Sequence, residues 1–289
     1  MTSSSNADQI REKVQQGYTA VAQTSSSCCG PSSFSGGPDE DHLSAKQLAE
    51  SIGYSADQLA QLPEGANMGL SCGNPAAISA LREGQIVLDL GSGGGFDVFL
   101  AGPKVGATGR AIGVDMTPAM LSKARANIDH YSKSTGLSNV EFRLGEIEHL
   151  PVADNSIDVV ISNCVINLSP GKQQVWSEIA RVLKPGGIVA ASDMTLFKPL
   201  PQEAHDIAQA FVGCVAGAIL IEDYKQMVQD AGLISVLLKP KPEYVQALMN
   251  SGNELYRQIQ EVLPQGTTAS DYVTSVAVAA RKPQSCCGQ

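Results

Sequence analysis

The sequence predicts an α/β protein: a doubly wound, seven-stranded, mostly parallel sheet, with an N-terminal helical segment and a C-terminal α+β extension. Three observations carry that expectation. Between Ile86 and Met194 short apolar runs alternate with helical stretches, the pattern of parallel strands joined by helical crossovers. The first run, IVLDL (Ile86 to Leu90), opens directly into the glycine-rich GSGGG, as a strand buried on both faces does when it ends at a ligand crevice. At 43% hydrophobic and 17% charged residues over 289 positions, the chain can bury a sizeable core, which excludes wholesale disorder.

The elements follow in order. A helix is expected from about Asp8 to Ala22, with Ile10, Val14 and Val21 near helical spacing and Asp8 as its cap. TSSSCCGPSSFSGGPDE then reads as a flexible loop carrying Cys28 and Cys29. Short helices are expected at Ser44 to Ile52 and Ser55 to Leu62, and GANMGLSCGNP (Gly65 to Pro75) is a turn-rich loop containing Cys72. Strands follow at Ile86 to Leu90, Arg110 to Asp115, Val140 to Gly145, Ser156 to Asn163 and Gly187 to Met194. Helices are expected at Pro118 to Ser134 and Lys172 to Leu183, the latter stopping at LKPGG. Beyond them lie helices at Gln202 to Ala218 and Glu222 to Ala231, and strands at Leu233 to Lys239 and Tyr272 to Arg281. This divides the chain into an N-terminal part (1–80), a central core (81–195) and a C-terminal extension (196–289).

Composition excludes several classes of partner. Twenty Lys plus Arg against 29 Asp plus Glu give a net charge of −9 and a pI near 4.9, which disfavours nucleic acid or an anionic membrane surface. No apolar run is long enough to span a bilayer, and MTSSSNADQIREK is not built like a signal peptide. A cytoplasmic, reducing location is therefore expected. There, seven cysteines (Cys28, Cys29, Cys72, Cys164, Cys214, Cys286 and Cys287) are not accounted for by structural disulfides.

The glycine loop carries the first chemical signal. Glycines let the backbone turn sharply and approach a ligand where a Cβ would collide. Here the pattern is D-x-G-x-G-G-G, with Asp89 two residues before Gly91. An acid in that position repels a pyrophosphate but suits a ligand bearing an ammonium group. Asp115 ends the next strand, 24 residues beyond Gly91, where a carboxylate can accept hydrogen bonds from ribose hydroxyls. Met116 beside it can pack on an adenine face.

The second signal is the placement of thiols. Cys164 follows the strand ending at Asn163, and ligands of open parallel sheets bind at the carboxyl ends of the strands. Cys72 lies in the loop before the helix leading into the glycine strand, and Cys214 in the small-residue stretch AFVGCVAGA. Taken alone, Cys214 is core packing. No pair has C-x-x-C spacing, so no ordinary zinc knuckle is expected. The histidines His42, His130, His149 and His205 are scattered, Glu222 and Asp223 suit a helix start, and Trp176 is expected to pack on the sheet.

The assembly from Gly84 to Met194 resembles the class I S-adenosylmethionine-dependent methyltransferases, whose fold is Rossmann-like. That resemblance implies S-adenosylmethionine as methyl donor. It places Asp89, Gly91, Ser92 and Gly93 around the methionine part, Asp115 on the ribose with Met116 beside it, and Gly145, Glu146 and Ile147 of LGEIEHLP flanking the adenine. Asn163 joins this set at the end of its strand.

The phrases GLSCGNP, SNCVINL and FVGCVAGA resemble the arsenite methyltransferases more narrowly, and the 50-residue separation of Cys164 and Cys214 agrees. The resemblance implies that Cys164 and Cys214 hold trivalent arsenic. Cys72 supplies the third thiolate, and Cys29 or its neighbour Cys28 completes the family's cysteine set. The implied activity is methyl transfer to thiolate-bound arsenic, giving mono- and dimethylated products in detoxification, with glutathione or thioredoxin as thiol reductant. The core (81–195) becomes the cofactor-binding part, and the extension carries arsenic-binding Cys214 and a Cys-rich tail with Cys286 and Cys287. Soft trivalent arsenic prefers thiolates, and three sulfurs leave its lone pair exposed on the opposite side. The alternatives are a methyltransferase with a small organic acceptor, a non-catalytic thiol protein that sequesters metalloid, and a redox sensor using Cys28 and Cys29.

Overall fold

The computed structural model describes residues 3–24, 45–51, 54–60, 62–63, 65–68, 80–210, 214–250 and 252–284. Its sheet has the order β3-β2-β1-β4-β5-β8-β7, built from β1 (Ile86–Leu90), β2 (Arg110–Asp115), β3 (Val140–Leu144), β4 (Ile157–Asn163), β5 (Leu183–Leu196), β7 (Ile234–Lys241) and β8 (Val273–Arg281). These are the seven expected strands. A two-residue β6 (Ile219–Leu220) pairs with β5 as an eighth. β1 to β5 run parallel, while β8 lies antiparallel between β5 and β7.

The helices are α1 (Ser3–Thr24), α2 (Ala45–Ser51), α3 (Ala56–Ala60), α4 (Phe96–Val105), α5 (Pro118–Ala126), α6 (Ile128–Thr135), α7 (Lys172–Val182), α8 (Gln202–Ala210), α9 (Ile221–Asp230), α10 (Pro242–Asn250) and α11 (Glu254–Val262).

The apolar runs are continuous because both sheet faces are covered. Along β1, Leu88 and Leu90 join one core with Val160, Trp176 and Tyr224, while Val87 joins the opposite core with Val159, Ile161 and Phe99. Adjacent strand residues point to opposite faces, so both members of each pair must be apolar. Trp176 is fully buried and meets Tyr224 edge to face at 5.7 Å, in keeping with its expected structural role. Glu222 and Asp223 lie in the first turn of α9.

Three expected helices differ. The first runs from Ser3 to Thr24, so Asp8 stands inside it, accepting a hydrogen bond from Arg11 at 3.1 Å, and does not cap it. The span from Pro118 is broken at Asn127, whose N–H turns back to the Ala124 carbonyl and which then starts α6. The helix from Gln202 ends at Ala210 among the described residues, and Cys214 to Gly217 form a turn. A Cβ on Gly217 would run into the Asn167 carbonyl oxygen, so this stretch crosses the β4 loop too closely for an ordinary side chain. A third core, formed by Met194, Leu196, Val215, Val245, Leu255, Ile259 and Tyr272, encloses Cys164 and Cys214. A small fourth cluster seats α1, through Val21 and Ala22, on Met120 of α5.

Candidate active site

Strand order reverses between β1 and β4, the switch point where open parallel sheets leave a crevice beyond their carboxyl ends. Gly91 adopts φ +65° and Gly95 φ +91°. A Cβ on Gly91 would strike the Val165 side chain, and one on Gly95 would lie 2.7 Å from the Phe99 and Phe142 rings. The loop is therefore glycine-rich both for its left-handed turns and for its packing.

A cleft of about 720 Å³ opens there. Asp115, Met116, Gly145 and Ile147 line one end, and Asn163 and Cys164 the other. A second cavity of about 430 Å³, holding Asp89, Ser92 and Asp97, shares Gly91, Gly93 and Asn163 with the first. Of the ten residues expected around the cofactor, nine line these two cavities. Glu146 instead lines an outer groove and pairs with Arg11 at 3.3 Å.

Asp115 ties the crevice together. Its Oδ2 accepts the Gly93 N–H at 2.9 Å and its Oδ1 the Thr117 N–H at 2.7 Å. The Thr117 hydroxyl donates a third hydrogen bond, so one of the carboxylate's about four acceptor positions stays open. Burial raises its pKa, opposed by those hydrogen bonds.

Asp89 is held well above the usual carboxylate range by burial and by repulsion from Asp97 and Asp115. Asp97, in the first turn of α4, is pushed up to about 6, again chiefly by burial. The Tyr54 hydroxyl donates to Asp97 Oδ1 at 2.8 Å, and Asn163 Nδ2 donates to that hydroxyl at 3.4 Å. Buried acids that repel one another, with no basic side chain among the described residues offsetting them, favour a cationic group beside them. Sequence reasoning passed over Asp97, which at a helix start resembles an ordinary dipole acid, and over Tyr54, which only the tertiary fold brings near.

It also missed the roof. Arg11, Val14 and Tyr18 of α1 line the cleft, with Gln15 Nε2 donating to the Met116 carbonyl at 2.9 Å. Arg11 reaches Glu146 and, at 3.4 Å, the buried Glu148, which also accepts the Ser169 hydroxyl at 2.7 Å.

At the thiol end, Cys164 follows β4 with φ +58°, a conformation that costs a residue with a Cβ roughly 1–2 kcal/mol. Its N–H donates to the Ser192 carbonyl at 2.8 Å, and the Cys214 thiol donates to the Cys164 carbonyl at 2.8 Å. The Cys164 and Cys214 sulfurs and a carboxylate oxygen of Asp193 lie within 4.8 Å of one another. Cys164 is disulfide-bonded, with its partner outside the described residues, whereas Cys214 is a thiol.

Asp193 is fully buried and pushed up to about 7 by that burial. Hydrogen bonds from Met194, Asn167 and Tyr224 and the charge of Lys172 act in the opposite direction. Lys172, largely buried, donates to the Ser169 carbonyl at 3.1 Å. Cys28, Cys29, Cys72, Cys286 and Cys287 lie outside the described residues.

The chain matches a methyltransferase domain model over residues 81–232. It is 44% identical to an arsenite methyltransferase of Halobacterium salinarum over 98% of this chain and 69% of that protein. With an arsenite methyltransferase of Aquipseudomonas alcaligenes it shares 37% identity over 77% of this chain and 62% of the relative. It therefore spans roughly two thirds of the length of these relatives. The crystal structure of an arsenic(III) S-adenosylmethionine methyltransferase from Chlamydomonas reinhardtii superposes with a TM-score of 0.57 at 31% identity, covering 86% of this chain and 75% of that one. A phosphoethanolamine N-methyltransferase from Haemonchus contortus, 18% identical with a TM-score of 0.59 over 83% of this chain and 58% of its own, shares the fold. By glycine loop, sheet order and overall identity, this chain belongs to the arsenite methyltransferase family.

Proposed function

We propose that the chain transfers methyl groups from S-adenosylmethionine to thiolate-bound trivalent arsenic, giving mono- and dimethylated arsenicals and so detoxifying arsenite. The carrying observation is the meeting of Cys164 and Cys214 at the end of the acid-lined cleft that opens from the glycine loop.

The residues of the cleft fit such a donor. The glycine loop leaves a cradle that side chains would fill. The buried Asp89 and Asp97 suit an α-ammonium group, and Asp115 keeps one acceptor position for a ribose hydroxyl. Met116, Gly145 and Ile147 offer an adenine slot, which Arg11 and Tyr18 cover. When bound there, S-adenosylmethionine supplies an electrophilic methyl for the arsenic lone pair.

The protein's own work is alignment. Cys164 and Cys214 hold arsenic as thiolates, with Cys72 as third ligand for inorganic arsenite and Cys29 or its neighbour Cys28 as a further member of the set. The left-handed backbone at Cys164 aims its sulfur, and the Cys214 contact fixes the second sulfur relative to it. No side chain has to remove a proton during methyl transfer, so most of the rate comes from pre-set geometry. Because Cys164 stands in a disulfide, it must be reduced before it binds arsenic. This supports thioredoxin or glutathione as reductant. No helix among the described residues is long and apolar enough to cross a membrane.

The test is incubation with arsenite, labelled S-adenosylmethionine and a thiol reductant, with chromatographic separation of arsenicals. Label in mono- and dimethylated arsenic is expected. Absence of labelled arsenicals from a folded, cofactor-binding protein would overturn the assignment.

A further inference from the structure

The cluster of Cys164, Asp193 and Cys214 is incomplete for arsenite and complete for something else. Inorganic arsenite bound through three sulfurs needs a third thiolate, which this trio lacks. Two thiolates and a carboxylate, by contrast, form a full protein ligand set for a four-coordinate d10 divalent cation, with water in the fourth position. Borderline cations such as zinc accept both sulfur and oxygen, whereas a carboxylate is a poor partner for a soft metalloid.

We propose that, once the Cys164 disulfide is reduced, Cys164, Cys214 and Asp193 form a binding site for a thiophilic divalent cation of the zinc–cadmium class, which competes with arsenic for the two sulfurs. The proposal rests on the reading of Cys164 and Cys214 as the substrate thiols. It adds Asp193, which no part of that reading uses.

Geometry supports the third ligand. The three donor atoms lie within 4.8 Å of one another, and a tetrahedral zinc centre separates its ligands by about 3.5–3.8 Å. Side-chain closure of roughly 1 Å therefore completes the site. Asp193 is 0% exposed and Cys164 5% exposed, so the cation would be shielded from bulk water.

The carboxylate has capacity to spare. Its Oδ1 accepts the Met194 N–H at 3.0 Å, and its Oδ2 accepts the Asn167 N–H at 3.2 Å and the Tyr224 hydroxyl at 3.3 Å. A carboxylate offers about four acceptor positions, so three bonds orient it and one position stays open on Oδ1. Oriented ligands held by surrounding hydrogen bonds are characteristic of metal sites. Charge also discriminates: in the reduced site two thiolates and a carboxylate carry three negative charges, one of them offset by Lys172, which suits a dication rather than neutral arsenous acid.

The experiment uses the full chain with Cys28, Cys29, Cys72, Cys286 and Cys287 replaced by Ser, reduced with a non-thiol phosphine. Cadmium ion is the first probe, read by its thiolate charge-transfer absorption. Monomethylarsenite, which needs only two thiolates, is the second. One cadmium ion per chain is expected, displaced by monomethylarsenite in direct competition. Asp193→Asn should lower the ratio of cadmium to monomethylarsenite affinity at least about tenfold. An equal loss of both affinities, or no cadmium binding to the two-cysteine chain, would overturn the proposal.

A second measurement covers the case in which Asp193→Asn does not fold. X-ray absorption of the cadmium-loaded two-cysteine chain should show two sulfur neighbours together with oxygen. A single sulfur or an all-oxygen shell contradicts the site. Failure of arsenite methylation by the native chain, with cadmium binding intact, would count against the proposed function and leave this site standing.

Discussion

The Cys214 sulfur lies 2.8 Å from the carbonyl oxygen of Cys164. A thiol on the turn after α8 is thereby fixed against the backbone of the residue that carries the second sulfur. The contact depends on two unusual local features. Cys164 takes a left-handed backbone, and Gly217 permits the Cys214 turn to press against Asn167 where a Cβ would not fit.

The left-handed conformation at Cys164 predicts a reversal of the usual Ala-over-Gly order. Cys164→Gly should be more stable than Cys164→Ala by about 1 kcal/mol, because Gly reaches φ > 0 without penalty. Comparison of denaturant midpoints for the two variants checks this. A more stable Cys164→Ala would mean that the backbone there is unstrained.

Ionisation at Asp97 should be visible in cofactor binding. Its carboxyl titrates at about 6 in the folded chain against an ordinary value of 3.8. S-adenosylmethionine affinity should therefore rise as pH increases from 5 to 7 and the carboxylate forms. Stability of the ligand-free chain should run the other way. A folded-state pKa above the unfolded value favours folding at low pH, and that contribution is lost as pH rises through about 6. Asp97→Asn should weaken binding and flatten both dependences. Titration calorimetry across this range, with unfolding followed in parallel, tests the pair of slopes.

Removal of the roof should affect one ligand and spare the other. Arg11→Ala deletes the links from α1 to Glu146 and Glu148 and is expected to weaken S-adenosylmethionine binding about tenfold, in line with a partly buried charge-assisted contact. Monomethylarsenite binding should not change, which fluorescence titration with each ligand can establish.

Much of this architecture was legible in the sequence, and what was not has physical reasons. Strands such as Ile86–Leu90 and Ile157–Asn163 are recognisable because burial on both faces demands continuous apolar residues. Asp89, Asp115 and Cys164 were recognisable because each sits at a strand end. Tyr54, Asp97, Asp193 and the α1 roof were not, since each acts through contacts far away in sequence. Helices Pro242–Asn250 and Glu254–Val262 were passed over although Pro242 begins one and the Asn253 side chain caps the other, accepting the Tyr256 N–H at 3.5 Å. Cys214 illustrates the converse. Its small-residue surroundings suggested a helix, but the glycine there serves a close crossing of two loops.

Cys72 enters by family resemblance and has its own signature. If it is the third thiolate, Cys72→Ser should slow methylation of inorganic arsenite by at least about tenfold while affecting monomethylarsenite much less. Separate rate measurements on the two substrates distinguish this from a general loss of activity.

The central claim, that Cys164 and Cys214 jointly hold arsenic for methyl transfer, is tested most directly by single-turnover methylation of arsenite by Cys214→Ser and Cys164→Ser chains. Each would first be shown by titration to bind S-adenosylmethionine normally. The account predicts a fall in labelled arsenicals of at least about 100-fold in each, since a misplaced reactant forfeits the benefit of alignment. Wild-type rates in either variant would contradict it.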